Sequence, residues 1–362
     1  MIIRRPNIIE PTLESPRIIC VGSAVPENSY SQDEILELFG IEDPRIRSMF
    51  HNSAIERRFL TLPPVSSDGR RRTETQGELL AKHRAQCLDM GSRALEECLK
   101  QLGASLSDVR YLCCVTSTGL LTPGISALLI REMNLSAACA RLDVVGMGCN
   151  AGLNGLAATA NWAKAHPGEL AILLCVEACS AAYVFDGTMR TSVVNSLFGD
   201  GAAAAAVVSG HGDTDAGPAL VKFSSLVIPE AIDAMRYDWD DEQGKFSFFL
   251  DRDVPYVVGA NAETALGQLL EATGLGLRDI THWLVHSGGK KVIDAVSINL
   301  GLTRHDVRHT TGVLRDFGNL SSGSFLFSYI RLLEEGTARP GDYSVLMTMG
   351  PGSTIEAALA RW

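Results

Sequence analysis

The residue best suited to covalent chemistry in this chain is a cysteine at a predicted strand-to-helix turn. Cys149 follows Gly148, with an apolar stretch over 142–147 that predicts a buried strand and small residues over 151–165 that predict a helix. A sulfur at the start of a helix faces free N–H groups and the positive end of the helix dipole, which favour thiolate over thiol. Such a thiolate suits nucleophilic catalysis. The alternative is a small buried cysteine in a crossover, so Cys149 needs chemical partners.

Two residues in the second half of the chain could be those partners. His286 ends an apolar strand predicted over 282–286, and Asn319 lies in a turn before a helix predicted over 324–333. As an imidazolium, His286 could stabilise the thiolate and donate a hydrogen bond to an acyl oxygen, and the amide N–H of Asn319 could donate to the same oxygen. With Cys149, these residue types predict a site that polarises an acyl thioester. For His286 alone, a hydrogen-bonded core histidine is the alternative.

The order of strand, turn, helix and strand occurs twice along the chain. The first copy runs from Tyr111 through Cys149, and the second runs from Trp283 through Asn319 at nearly the same interval. This repetition predicts an α/β protein of two similar halves, 1–215 and 216–362, each with a mixed sheet between helices. Turns that face one another across a pseudo-two-fold axis would bring the cysteine to the histidine and the asparagine.

Composition limits the classes of function. The chain has 362 residues, 46% of them hydrophobic and 20% charged, with a formal net charge of −10. An acidic chain is unlike a nucleic-acid-binding protein, which carries a basic excess. No apolar stretch approaches the length of a membrane span or a secretory signal. The nine cysteines contain no C-x-x-C pair, which predicts neither a metal site nor disulfides and fits the reducing cytoplasm.

Basic residues gather in one early segment. Arg45 and Arg47 are followed by Arg57 and Arg58, and then by a polar loop that contains the run 70–72. Such a run is often a solvated surface. The sharper interpretation is the mouth of a site for a phosphorylated ligand, because guanidinium groups bind phosphate oxygens well.

Five blocks resemble the type III polyketide synthases, the chalcone synthase superfamily, in order and over nearly the whole chain. They are Gly148-Cys149, Leu197-Phe198-Gly199-Asp200-Gly201, Trp283 to Gly289, Gly318-Asn319-Leu320-Ser321-Ser322 and Gly350-Pro351-Gly352. The resemblance implies a thiolase-like duplicated fold, layered αβαβα with two mixed sheets. It also implies a homodimeric acyltransferase that works by decarboxylative Claisen condensation.

The resemblance further implies malonyl-CoA as both starter and extender, with no acyl carrier protein and no cofactor beyond coenzyme A thioesters. Cys149 would carry the growing chain, while His286 and Asn319 would stabilise the enolate. The stretches 52–64, 233–239 and 305–316 are similar to one bacterial branch. That branch implies four malonyl units cyclised to 3,5-dihydroxyphenylacetyl-CoA for antibiotic biosynthesis, beside accessory dehydratase-like proteins.

Several site residues follow from the same resemblance. Phe198 and Phe248 match the two aromatic gatekeepers of the family. The remaining cavity positions, which depart from the pattern of plant members, are Cys179, Ala182, Thr122 and Met349. Plant members have basic residues where this chain has Ser48 and Asn52. The resemblance therefore implies that Arg45 or Arg47 binds the CoA phosphates instead.

Other functions remain open at this point. One is a related malonyl-CoA enzyme with a resorcinol, pyrone or dihydroxybenzoate product, and another is an initiating β-ketoacyl synthase. A thiolase would need a second cysteine near the last glycine turn, and 350–355 has none. An inactive partner subunit would lack the nucleophile. A cysteine hydrolase would release acid without forming carbon–carbon bonds.

Overall fold

A computed structural model describes residues 11–12, 14–65, 71–182, 188–210 and 217–362. Arg70 and the predicted boundary between residues 215 and 216 lie outside these ranges. The described strands are β1 (Arg17–Ala24), β2 (Ser29–Ser31), β3 (Arg57–Phe59), β4 (Val109–Thr116), β5 (Ala140–Val145), β6 (Leu170–Glu177), β7 (Gly201–Val208), β8 (Ala219–Val227), β9 (Met235–Asp240), β10 (Lys245–Leu250), β11 (Ile280–Val285), β12 (Tyr343–Gly350) and β13 (Thr354–Arg361). The described α-helices are α1 (Gln32–Leu38), α2 (Pro44–His51), α3 (Gln76–Leu102), α4 (Ile125–Glu132), α5 (Ala151–Ala165), α6 (Met189–Asn195), α7 (Val254–Leu270), α8 (Lys290–Leu300), α9 (Arg308–Phe317) and α10 (Ser324–Glu335).

The sheet confirms the predicted duplication. In the first half β4 is parallel to β6, β6 is antiparallel to β7, and β7 is antiparallel to β1. In the second half β11 is parallel to β12, β12 is antiparallel to β13, and β13 is antiparallel to β8. The two halves therefore repeat one strand pattern. In the first half β5 adds a further parallel strand beside β4.

The two expected mixed sheets are joined edge to edge. The strand order is β11-β12-β13-β8-β1-β7-β6-β4-β5, and β8 meets β1 through the single register pair Arg17 and Ala219. The Ile18 N–H donates to the carbonyl of Pro218 (3.2 Å), and the Leu220 N–H donates to that of Pro16 (2.8 Å). The sheets of the two halves thus form one nine-stranded mixed sheet, with a weak seam between them.

Helices lie in three layers around this sheet. The apolar face of α3 packs on the first half, α7 and α8 pack on the second, and α5 and α10 form the layer between. The central helices approach so closely that a Cβ on Gly152 would lie 2.2 Å from the carbonyl oxygen of Ser322. This close approach brings the N-terminal turns of α5 and α10 together.

Local signals account for several helix boundaries. Thr75 and Glu78 form a capping box at the start of α3, and Gly103 ends that helix in the left-handed conformation. Ser31 and Glu34 form the capping box of α1.

Two regions differ from the sequence-based expectation. The strand before Cys149 is not buried, because β5 is the edge of the sheet and leaves Leu142, Val145 and Met147 each 37% exposed. The stretch 228–244, whose polar composition suggests an irregular segment, contains β9, which pairs with β10 in a two-stranded hairpin.

Candidate active site

Cys149 lies in a short 3₁₀ turn over Gly148–Asn150 that leads directly into α5. The turn depends on Gly148, whose φ of 76° is the left-handed region that favours glycine. A Cβ at that position would also lie 2.2 Å from Cδ of Pro351. The sulfur is consequently held at the N-terminal end of α5, as predicted, with its residue only 9% exposed.

The glycine turn between β12 and β13 packs on this cysteine. A Cβ on Gly350 would lie 2.8 Å from the backbone nitrogen of Asn150 and 3.0 Å from that of Cys149. The backbone of residues 149 and 150 therefore leaves no room for a side chain at Gly350. The glycine turn packs directly against the backbone of Cys149 and limits its movement.

Asn319 enters the site from the second half. Gly318, the preceding residue, has a φ of 74°. The side-chain Oδ1 of Asn319 accepts a hydrogen bond from the Ser321 N–H (2.8 Å). That bond directs the amide Nδ2, which faces the carbonyl of Gly288 at 3.4 Å. The amide donor is thereby oriented by the turn that leads into α10.

His286 follows directly on β11 and is 2% exposed. Its backbone N–H donates to the carbonyl of Met347 on β12 (2.8 Å), which continues the sheet by one residue. The imidazole packs on Gly288, where a Cβ would lie 3.1 Å from Nε2. Its Nδ1 is buried and has no hydrogen-bond partner among the described atoms.

The three predicted residues are linked by short contacts. The Cys149 sulfur lies 3.4 Å from the Ser321 hydroxyl, and the Asn319 side chain is near enough to lower the pKa of the thiol. Asn319 and His286 both contact Gly288. The turns of the two halves therefore bring cysteine, asparagine and histidine to one buried place.

Burial keeps each titratable group of this site neutral when it is considered alone. Burial raises the pKa of the Cys149 thiol to about 12, although Ser321 and Asn319 oppose the shift. Burial lowers the pKa of His286 to about 3. The expected preference for a free thiolate is therefore wrong for the isolated thiol, because loss of hydration outweighs the helix terminus. Transfer of one proton from Cys149 to His286 would create both charges together.

The predicted gatekeepers touch one another. The rings of Phe198 and Phe248 meet edge to face, with centroids 6.3 Å apart and an interplanar angle of 81°. Phe248 also packs edge-on against Tyr237, its cross-strand neighbour in the hairpin (5.0 Å). Phe198, Phe248, Cys179 and Met349 belong to the same apolar cluster as Cys149, and Ala182 packs on that cluster.

A small cavity of about 40 Å³ lies beside this cluster. Cys179 and Phe198 line it, together with Arg58 and Glu74. Thr122 is exposed, while its neighbour Leu121 packs on the separate core beneath α3. A cavity role for Thr122 is therefore not supported within one chain and stays a prediction for the dimer.

The two predicted phosphate ligands lie on α2. The Arg45 side chain is 78% exposed and pairs with Asp43 at 2.8 Å, which raises the pKa of the arginine. Arg47 is partly buried and donates through Nη1 to the carbonyl of Ile41 (3.1 Å). The guanidinium of Arg45 is thus accessible to a ligand, whereas that of Arg47 is already hydrogen-bonded to the backbone.

A buried carboxyl that was not selected from the sequence, Glu177, joins the two halves behind the site. Glu177 at the end of β6 accepts from the Ser322 hydroxyl (2.5 Å) and from the Ser117 N–H (2.8 Å). Burial raises its pKa, and its charge in turn raises the pKa of Cys149. Its position after an apolar strand was visible in the sequence, but its serine partners lie 60 and 145 residues away.

Within the described ranges, no group of three or more His, Cys, Asp or Glu side chains is placed to hold a metal ion. No helix in those ranges is long and apolar enough to cross a bilayer.

The duplicated sheet, its central pair of helices and the cysteine at a strand-to-helix turn define a condensing enzyme of the thiolase-like fold. Family models for chalcone and stilbene synthases match both halves, the N-terminal domain at residues 14–211 and the C-terminal domain at 221–362. The chain therefore belongs to the chalcone and stilbene synthase family. It is a type III polyketide synthase, a decarboxylating and condensing acyltransferase.

Named relatives and a solved structure agree with this assignment. The chain is 67% identical to a 3,5-dihydroxyphenylacetyl-CoA synthase of Streptomyces toyocaensis, covering 97% of this chain and 91% of that protein. A protein of the same name from Amycolatopsis orientalis is 65% identical, with 98% and 96% covered. The crystal structure of 1,3,6,8-tetrahydroxynaphthalene synthase from Streptomyces coelicolor A3(2), a bacterial type III polyketide synthase, is similar at a TM-score of 0.84 and 27% identity. That likeness covers 96% of this chain and 99% of the other.

Proposed function

We propose that this enzyme joins four malonyl-CoA units and cyclises them to 3,5-dihydroxyphenylacetyl-CoA, a building block for antibiotic biosynthesis. The observation that carries the chemistry is the contact of the Cys149 sulfur with donors from the other half of the chain, Ser321 and Asn319. The product is proposed from the relatives that share 65% and 67% of their residues with this chain and bear that name.

The first step is acyl transfer to Cys149. The sulfur attacks the thioester carbonyl of malonyl-CoA, its proton passes to His286, and the CoA thiolate leaves and takes that proton. A neutral buried imidazole, with its pKa lowered to about 3, can accept a proton from the attacking thiol and return it. The amide of Asn319, a donor worth about 3 kcal/mol of barrier, acts on the enolate of the next step.

The second step forms the carbon–carbon bond. An extender malonyl-CoA loses carbon dioxide, and its electron pair forms an enolate whose oxygen accepts from His286 and Asn319. The enolate carbon attacks the acyl group on Cys149, expels the sulfur and leaves the longer chain on CoA. Before each further round the chain returns from CoA to Cys149 by the same acyl transfer, which releases CoA. Three extensions, and loss of the starter carboxylate, give a chain of eight carbons.

Ring closure needs no further reactant. The terminal carbon of the chain, activated by loss of the starter carboxylate, adds to the ketone nearest the thioester, at the third carbon when the thioester carbonyl carbon is the first, and so closes a six-membered ring. Loss of water and enolisation then give a dihydroxyphenyl ring that still bears the acetyl-CoA arm. Phe198 and Phe248 would fold the chain for this closure, with Cys179, Ala182 and Met349 shaping the space. No cofactor, acyl carrier protein or metal ion takes part in this scheme, and the accessory dehydratase-like proteins act beside or after it.

The enzyme is proposed to act as a homodimer in the cytoplasm. The edge strand β5 and the residue before the cysteine turn leave Leu142, Val145 and Met147 partly exposed, an apolar row that a second copy would cover. All nine cysteines are free thiols, as a reducing compartment requires. Sedimentation of the wild type should give twice the chain mass, and Val145→Lys should shift it toward the monomer.

The decisive experiment is mass spectrometry of products formed from purified protein and malonyl-CoA alone. The proposal predicts 3,5-dihydroxyphenylacetyl-CoA or its acid, and none from Cys149→Ala. A pyrone or resorcinol as the main product would refute the product assignment while keeping the family chemistry. A requirement for acyl carrier protein, or release of malonate alone, would refute the condensation scheme.

A further inference from the structure

Arg58 on β3 is a buried arginine whose described hydrogen bonds all go to neutral oxygens. The residue is 2% exposed. Its Nη1 donates to the carbonyls of Asn195 (2.6 Å) and Phe198 (2.8 Å), and its Nη2 donates to Oε1 of Gln32 (2.8 Å). Burial of the cation is costly and lowers its pKa to about 10. The hydrogen bonds of the guanidinium to the backbone of residues 195 and 198 must offset this cost.

The carbonyls bound by Arg58 belong to Asn195, the last residue of α6, and to Phe198 in the short connection to β7. This connection pairs in parallel with Asn319: the Asn319 N–H donates to the carbonyl of Leu197 (2.8 Å), and the Gly199 N–H donates to that of Asn319 (3.0 Å). Leu197 and Gly199 thus hold the backbone of Asn319, and Arg58 binds the carbonyl of Phe198, the residue between them. The segment 197–199 therefore carries the gatekeeper ring of Phe198 and also pairs with the backbone of Asn319.

The aliphatic stem of Arg58 touches the other side of this pairing. A Cβ on Gly318 would lie 2.9 Å from both Cγ and Cδ of the arginine. The stem therefore packs against the backbone immediately before Asn319. Guanidinium and stem together contact both segments of the pairing.

Gln32 completes the arrangement. It is 5% exposed, accepts from Arg58, and donates through Nε2 to the carbonyl of Ser196 and the hydroxyl of Ser53, both at 2.8 Å. The two side chains thus bind three carbonyls of the same turn, those of Asn195, Ser196 and Phe198. These contacts fix the turn before β7 from one side.

We propose that Arg58, supported by Gln32, is a positioning residue that sets the direction of the Asn319 amide and of the Phe198 ring. Arg58 acts through backbone carbonyls and touches no substrate. This inference rests on the proposed function, because it assigns Arg58 to the step in which Asn319 stabilises the enolate. Loss of the arginine should therefore affect decarboxylation more than acylation.

Arg58→Lys tests this assignment. Lysine keeps the cation and most of the stem, but one ammonium group cannot hold carbonyls with the planar fork of a guanidinium. The rate of carbon dioxide release from malonyl-CoA, per folded enzyme, should fall by about 10- to 100-fold. Acylation of Cys149, followed by rapid quench and intact-protein mass, should stay close to that of the wild type. Arg93→Lys is the matched control, because Arg93 also holds a backbone carbonyl, that of Val25, and both rates should be unchanged.

Gln32→Met decides the question if the arginine variant does not fold. It removes one anchor of the guanidinium, and it should slow decarboxylation in the same direction by a smaller factor, with acylation again preserved. Equal loss of both rates per folded enzyme would make Arg58 a structural residue only and overturn the proposal, as would wild-type rates in both variants. A wild type that does not decarboxylate malonyl-CoA would instead refute the proposed function, so the two failures are distinguishable.

Discussion

Gly350→Ala is the perturbation whose effect on the cysteine can be worked out most directly. Its Cβ would lie 2.3 Å from Oδ1 of Asn150, 2.8 Å from the Asn150 nitrogen and 3.0 Å from the Cys149 nitrogen, where ordinary contact begins at 3.4 Å. The backbone must therefore move by about 0.6 Å at Asn150 (3.4 − 2.8) and about 0.4 Å at Cys149 (3.4 − 3.0).

The cysteine turn rather than the glycine turn should take up this shift. Gly350 is held by its antiparallel pairing with Thr354, while Cys149 lies in a single 3₁₀ turn. Displacement of a nucleophile by a fraction of an ångström costs about 10- to 100-fold in rate. Overpacking should also lower the free energy of unfolding by about 1–3 kcal/mol.

The assay compares product formation per folded enzyme, well below the melting temperature, with alkylation of Cys149 by iodoacetamide. Both rates should fall in Gly350→Ala. Gly77→Ala is the control, since Gly77 lies in α3 and a Cβ there would meet no atom within 4 Å. A Gly350→Ala enzyme with wild-type rates would refute the claim that the glycine turn fixes the nucleophile.

Three further predictions address the gate, the ligand and the pH range. Phe248→Leu removes the edge contact with Phe198, and mass spectrometry should detect shorter released chains; an unchanged product would contradict the gate role. Arg45→Gln should raise the KM for malonyl-CoA, but not that for malonyl-N-acetylcysteamine, which lacks the phosphates; equal rises would exclude a phosphate contact. Burial lowers the pKa of His83 to about 4, so between pH 6.5 and 4 the unfolded chain binds a proton that the folded protein does not. Stability should therefore fall with acidification, by about 1.4 kcal/mol per pH unit for this group, and chemical denaturation should give a shallower pH slope for His83→Gln.

Local patterns predicted the elements that present the site. Helix α5 spans the residues that its small side chains indicated, 151–165, and α10 begins at the predicted residue 324 after the turn of Asn319. The repeated order of elements also predicted that Cys149 and Asn319 face one another. These features depend on periodicity and capping, which neighbouring residues determine.

Long-range packing could not be predicted in the same way. An apolar strand predicts burial, yet β5 is the edge of the sheet and its Leu142 and Val145 are partly exposed. The position of a strand within a sheet depends on pairings between distant segments, which an apolar pattern does not specify. The helix-terminus argument for a thiolate at Cys149 left out desolvation, which depends on the whole fold. Arg58 was grouped with exposed arginines, whereas its acceptors lie 137 and 140 residues further along the chain.

The most direct test of the account is the fate of the acyl group in Asn319→Ala. Rapid quench with intact-protein mass spectrometry follows the adduct on Cys149 while carbon dioxide release is measured in parallel. The account predicts that the adduct still forms and that decarboxylation falls by about 100- to 1,000-fold, the usual loss for one oxyanion donor. A variant that forms no adduct on Cys149, or that releases carbon dioxide at the wild-type rate, would contradict it.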